Sequence, residues 1–128
     1  MGCNCVFVLQ RRNYYKGVYM KILSRTEELL LIATWKLQKN AYAVTIREEL
    51  KAMTGQIWAF GGLFVSLERL AKKGMVDSFL SDPTPERGGR SKRIYRLTSE
   101  GLDALIEIRK LQKSIWEDVP KLSHRKLS

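Results

Sequence analysis

Glycine and proline punctuation constrains this chain more than any other feature. Gly55 and Gly74 each follow a short amphipathic run, and Asp82-Pro83-Thr84-Pro85 with Gly88-Gly89 breaks up the stretch between two apolar segments. Glycine readily supplies the left-handed turn that ends a helix, and proline removes a backbone donor. The pieces between these breakers have room only for short helices or strands.

Helix one is expected over Glu27–Gln38. Ser24-Arg25-Thr26-Glu27 fits a capping box, Glu27 and Glu28 suit the positive end of the helix dipole, and Leu29–Ala33 is apolar all round. Asn40, which tolerates left-handed backbone, is expected to end it. Helix two begins at Val44 or Thr45 and ends at Met53 or Thr54 before Gly55. Thr45-Ile46-Arg47-Glu48 is read as a second capping box, and Ile46, Leu50 and Met53 form the apolar stripe. Gln56-Ile57-Trp58 is read as a very short strand. Helix three spans Phe60–Lys73, with Leu63, Leu67 and Leu70 on one face and Gly74 as its stop. Gly61-Gly62 in its first turn weakens helix propensity, which suits a backbone that must approach another surface closely.

Met75–Leu80 and Arg93–Leu97 read as two strands of a hairpin around the loop Ser81–Gly89. Thr98 caps a last helix, Ser99–Val119, that ends before Pro120. Its stripe of Leu102, Leu105, Ile108, Leu111 or Gln112, Ile115 and Val119 is widened by Ile106 and Trp116. So much apolar surface exceeds what one small domain can cover, and a symmetric dimer is the natural source of the remaining cover. The chain thus divides into an extension (1–23, disordered or non-native, with 1–19 read as upstream of a functional start at Met20), a three-helix and hairpin domain (24–98), a dimerisation helix (99–119) and a tail (120–128).

Charge narrows the function. The net charge is +10 over 128 residues, which favours an anionic partner. The excess is localised. Residues 1–23 carry four basic and no acidic side chains, and residues 86–96 carry Arg87, Arg90, Lys92, Arg93 and Arg96 against Glu86 alone. Cys3 and Cys5 are the only cysteines and His124 the only histidine, too few for a closed zinc site, and two unpaired thiols suit the cytoplasm. Val6 stands where a myristoylation signal wants Ser or Thr, and no run reaches the roughly 20 apolar residues of a membrane helix. No catalytic triad, carboxylate pair, phosphate-cradling glycine loop or metal cluster can be assembled, so the expectation is a non-enzyme without cofactor.

Three helices followed by a basic-tipped hairpin is the order of a winged helix-turn-helix, a mainly α fold with a small β-hairpin (α+β). There helix three enters the major groove and the hairpin flanks it. The sequence resembles the PadR family of transcriptional regulators at three places. Gly61–Leu70 with Lys73-Gly74 is similar to its recognition helix, Gly88–Gly101 to its wing and the start of its last helix, and Asn40–Val44 to its turn into helix two. The likeness covers about residues 24–118, and the single final helix resembles the small-C-terminus subgroup. Two positions depart from the pattern: Phe64 replaces a usual tyrosine whose hydroxyl is directed at the DNA backbone, and Ala43 replaces a glycine.

The resemblance implies a homodimeric repressor on a pseudo-palindromic operator, in some relatives released by an aromatic or amphipathic compound between the final helices. The candidate DNA contacts are Tyr42, Gly61, Gly62, Phe64, Ser66 and Arg69, with Arg87, Arg90, Lys92 and Arg93 on the wing. The dimerisation candidates are Leu105, Ile108, Ile115, Trp116 and Val119, and the effector candidates are Trp35 and Trp116. Each has a plainer alternative. A basic run is usually a solvated face, solvation or packing accounts for Arg69 and Tyr42 equally well, and large aromatics more often serve packing than ligands. The rival reading is a winged-helix module that binds an acidic protein; RNA is disfavoured because the wing tip carries no stacking aromatics.

Overall fold

The computed structural model describes residues 22–82, 91–117 and Val119. Leu23–Leu105 forms one compact unit, and the residues from Ile106 onward belong to another. The extension, most of the loop between the strands, and the tail lie outside the described residues.

Helix α1 (Arg25–Leu37) starts two residues before the sequence expectation, because Ser24 is its N-cap. Ser24 Oγ accepts from the Glu27 N–H at 3.1 Å, and the Glu27 carboxylate accepts from the Ser24 N–H at 3.0 Å. The capping box is therefore the one the sequence announces. The helix end differs from expectation. The positive-φ residue is Gln38 (φ 53°), not Asn40, and Gln38–Asn40 forms a 3₁₀ turn. Gln38 holds that conformation with its side-chain amide donating to the Trp35 carbonyl at 2.6 Å.

Helix α2 (Ala43–Thr54) has Tyr42, not Thr45, as its N-cap. Thr45 stands at the third helical position, where its hydroxyl accepts from the Tyr42 N–H at 3.0 Å. One half of a capping box is thus present, but Thr45 plays the opposite part from the expected one. Gly55 ends the helix at φ 78°. Residues 56–59 are irregular, and the expected strand at Gln56-Ile57-Trp58 does not form.

Helix α3 (Phe60–Lys72) buries Leu63, Leu67 and Leu70, and Gly74 turns the chain at φ 80°. Strands β1 (Val76–Leu80) and β2 (Arg93–Leu97) pair antiparallel, from Val76 opposite Leu97 to Leu80 opposite Arg93. On its other edge β2 donates from the Tyr95 N–H to the carbonyl of the extended Ala41 at 2.8 Å. The hairpin is thereby tied to the chain just before α2. The core joins Leu30, Leu31 and Ala33 of α1, Ile46 and Leu50 of α2, the α3 stripe, and Met75, Val76, Ile94 and Tyr95 of the hairpin.

Helix α4 (Ser99–Glu117) begins at Thr98, whose hydroxyl accepts from the Gly101 N–H at 3.0 Å and donates to the Gly74 carbonyl at 2.7 Å. A Cβ on Gly101 would lie 2.2 Å from the Met75 carbonyl oxygen. Only glycine lets this first turn sit so close to the root of the hairpin. The close approach of α3, the hairpin and α4 at residues 73–75 and 98–101 fixes where the hairpin leaves the core.

Candidate nucleic-acid interface

Helix α3 presents two different faces. At about 100° per residue, the positions opposite the Leu63–Leu67–Leu70 stripe are Gly61, Val65, Glu68, Arg69 and Lys72, and all are exposed. Arg69 therefore projects outward as its spacing predicts. Ser66 does not project clear of the stripe as expected: it lies at the stripe's edge and is half-buried. Val65, which sequence reasoning passed over, takes the outward place. Phe64 flanks this face, 46% exposed, and stacks on Phe60 with ring centroids 6.3 Å apart.

Arg47 of α2 completes that stack. Its guanidinium sits 4.4 Å from the Phe60 ring centroid, and its Nε donates to the Trp58 carbonyl at 2.6 Å. A cation over an aromatic face gains roughly 0.5–1 kcal/mol at an exposed site. This contact orients the entry into α3. Sequence reasoning missed Arg47 and the Phe60–Phe64 pair; the i, i+4 spacing of the two rings is a local signal that could have found the pair, but nothing local links it to α2.

The two glycines of the first turn have helical backbone and no crowding. A Cβ added at Gly61 or Gly62 would meet nothing within 4 Å among the described residues. Each costs up to about 1 kcal/mol of helix propensity relative to alanine. The fold gains nothing visible in return, unlike at Gly101.

The hairpin holds the cations. Lys92 Nζ lies 3.9 Å from the ring centroid of Tyr42, so two residues singled out from the sequence meet at the N-terminus of α2. Ser81 fixes the Lys92 backbone, accepting from its N–H at 3.0 Å and donating to its carbonyl at 2.7 Å. Arg93 donates to Ser78 Oγ at 3.0 Å, and Arg96 lies 3.7 Å from Asp77 and 5.4 Å from the Phe79 ring centroid. Burial pushes the Tyr95 phenol above its usual range; Arg93 opposes this shift and Glu68 of α3 adds to it. Arg87 and Arg90 lie outside the described residues.

Trp35 is half-exposed and lines a cleft with Thr34, Phe79, Ile94 and Arg96; Trp116 is not among the lining residues. Along α4, Ile108 is buried within the single chain, Leu105 is half-buried, and Ile106, Ile115 and Trp116 are exposed; Val119, beyond the helix, is half-buried. Among the described residues, no group of three or more His, Cys, Asp or Glu could hold a metal ion, and no helix is long and apolar enough to cross a membrane.

Neither models of protein families nor curated proteins match this sequence. Solved structures do. A PadR-like transcription factor from Bacteroides fragilis is 27% identical over 73% of this chain and 85% of its own, with a TM-score of 0.62. A PadR-like transcriptional regulator from Bacillus cereus is 19% identical over 84% and 92%, with a TM-score of 0.61. RosR of H. salinarum, in a complex structure, is 25% identical over 78% and 77%, with a TM-score of 0.57.

Proposed function

We propose that this chain, whose winged-helix fold is similar to that of PadR-like transcription factors, is a sequence-specific DNA-binding transcriptional regulator, a homodimeric repressor acting on a pseudo-palindromic operator. The observation that carries the reading is the uncrowded pair Gly61-Gly62 on the outward turn of α3. Glycines that the protein's own packing does not require leave room for a second surface to approach the backbone. That surface is the floor of the major groove. Arg69 and Lys72 flank it on the same helix, and Lys92 and Arg93, with Arg87 and Arg90, supply phosphate contacts from the wing. Tyr42 serves the same backbone contact, with Lys92 held over its ring.

The dimer forms through α4. Ile115 and Trp116 are exposed and available, and Leu105 and Val119 are half-covered; Ile106 is also exposed but lies about 180° around the helix from Ile115. Ile108 is already buried within the single chain and so is not available to a partner. Release by a small aromatic or amphipathic compound belongs to the same proposal, with Trp35 on its cleft and Trp116 on the dimer helix as the contacts that an effector would perturb.

The test is fluorescence polarisation of the purified chain with the duplex upstream of its own gene, at two salt concentrations and against scrambled competitor. Tight, salt-sensitive binding that survives the competitor is the expected result. Binding lost to the competitor rejects sequence specificity. Failure to bind even at low salt rejects the DNA reading in favour of an acidic protein partner.

A further inference from the structure

We propose that Val65, with Phe64 beside it, reads sequence by packing against thymine 5-methyl groups in the major groove. This deepens the DNA-binding reading above and rests on it. The outward positions in the first half of α3 are Gly61, Gly62, Phe64 and Val65. None of their side chains carries a hydrogen-bond donor or acceptor. Ser66, the one polar residue there, is half-buried at the edge of the stripe, and charged side chains begin only at Glu68. Yet the first half of a recognition helix is the part that meets base edges.

Val65 is 55% exposed and stands nearly opposite the buried stripe, and Phe64 is 46% exposed. In the major groove the apolar feature of a base pair is the C5-methyl of thymine, and apolar side chains are its partners. Charge fixes the occupant as nucleic acid rather than an apolar protein surface. Arg69 and Lys72 outnumber Glu68 on the outward face, and Lys92 and Arg93 extend the cations along the adjoining hairpin. The uncrowded glycines admit a close approach. Phe64 stacks on Phe60 beneath the Arg47 guanidinium, so the apolar surface has contacts within the chain that position it before DNA arrives.

The experiment starts with selection of duplexes from a random-core library by the full chain. Each thymine of the selected duplex is then replaced in turn by deoxyuridine, which removes only the methyl. At one or two positions per half-site, loss of the methyl is expected to weaken binding about fourfold, the worth of one buried methyl-sized group. Val65→Ala should bind the thymine and deoxyuridine duplexes with nearly equal affinity at such a position while keeping its salt dependence. Val65 is surface-exposed, so this variant keeps the fold, and a matching far-ultraviolet circular dichroism spectrum checks it. If a sequence is selected but no thymine methyl affects binding, the methyl readout is overturned and the DNA-binding reading stands. Equal discrimination by wild type and Val65→Ala overturns the role of Val65. A library that yields no preferred sequence overturns both.

Discussion

Helix α3 and the hairpin adjoin each other yet are built on opposite principles. The outward surface of α3 is apolar or bare through its first half, whereas β2 and the residue before it carry Lys92, Arg93 and Arg96. Each of these three cations is tethered within the chain: Lys92 to the Tyr42 ring, Arg93 to Ser78, and Arg96 to Asp77. Contacts to phosphate attract any duplex and carry no sequence information, whereas contacts to base edges do. On the proposed function, then, the hairpin supplies affinity and α3 supplies selectivity, and the two can be broken separately.

The largest effect is expected from removing what holds α3 in place. Leu67 is fully buried. Leu67→Ala should destabilise the chain by about 2–5 kcal/mol through lost burial and the cavity left behind, measured by urea denaturation. Both affinity and selectivity should fall together. A loss of stability within the range of surface substitutions would show that α3 is not anchored by this stripe.

Next comes the hairpin. Lys92→Ala with Arg93→Ala should lower the slope of log affinity against log salt by roughly 0.9 for each phosphate that is no longer neutralised. Preference for the selected duplex over scrambled duplex should stay unchanged. A change in preference without a change in slope would move selectivity to the wing and invert the comparison.

How much of the structure is legible in the sequence differs between the same two regions. The α3 stripe, the glycine stops at Gly55 and Gly74, and the bounds of β2 follow from periodicity and breakers, which are local. Periodicity also fixes which residues face inward. It is less secure about the opposite side, because one residue is about 100° of helix; Ser66 and Val65 differ by that step. The N-cap of α2 is misread from sequence because Thr45 has a capping side chain, while Tyr42 owes its place to the extended segment that β2 grips at Ala41. Arg47 is invisible for a similar reason: its partners lie 11 and 13 residues ahead, in the irregular segment and in α3. Gly101 belongs to the wing motif, but only the packing against Met75 gives its physical reason.

The shared root of the two regions gives a smaller, pH-dependent effect. The Lys73 ammonium at the end of α3 donates to the Glu27 carboxylate at the start of α1. Burial alone would raise the Glu27 carboxyl, but hydrogen bonds from Lys73 and Ser24 and the charge of Lys73 outweigh it and hold the group below its usual range. A carboxyl lowered on folding contributes stability that is present above its unfolded value and is lost as pH falls through its folded value. Glu27→Gln, which keeps an oxygen for the Ser24 N–H, should cost roughly 1–2 kcal/mol at neutral pH and flatten the acid limb of the stability profile. An unchanged acid limb in thermal melts would mean that another carboxylate sets it.

The smallest stability change is the most telling, because its sign is opposite to that of its functional effect. Gly62 has helical backbone, is exposed, and has nothing within 4 Å of an added Cβ among the described residues. Gly62→Ala should therefore stabilise α3 by roughly 0.5–1 kcal/mol, since alanine loses less backbone freedom on entering a helix. If the glycine leaves room for the groove floor, the same methyl should weaken specific DNA binding while the salt slope is retained, because the hairpin's contacts are untouched. A protein that becomes more stable and binds worse locates the glycine's purpose outside the chain. A protein that becomes more stable and binds equally well removes close backbone approach from the model of α3 and leaves selectivity to its side chains alone.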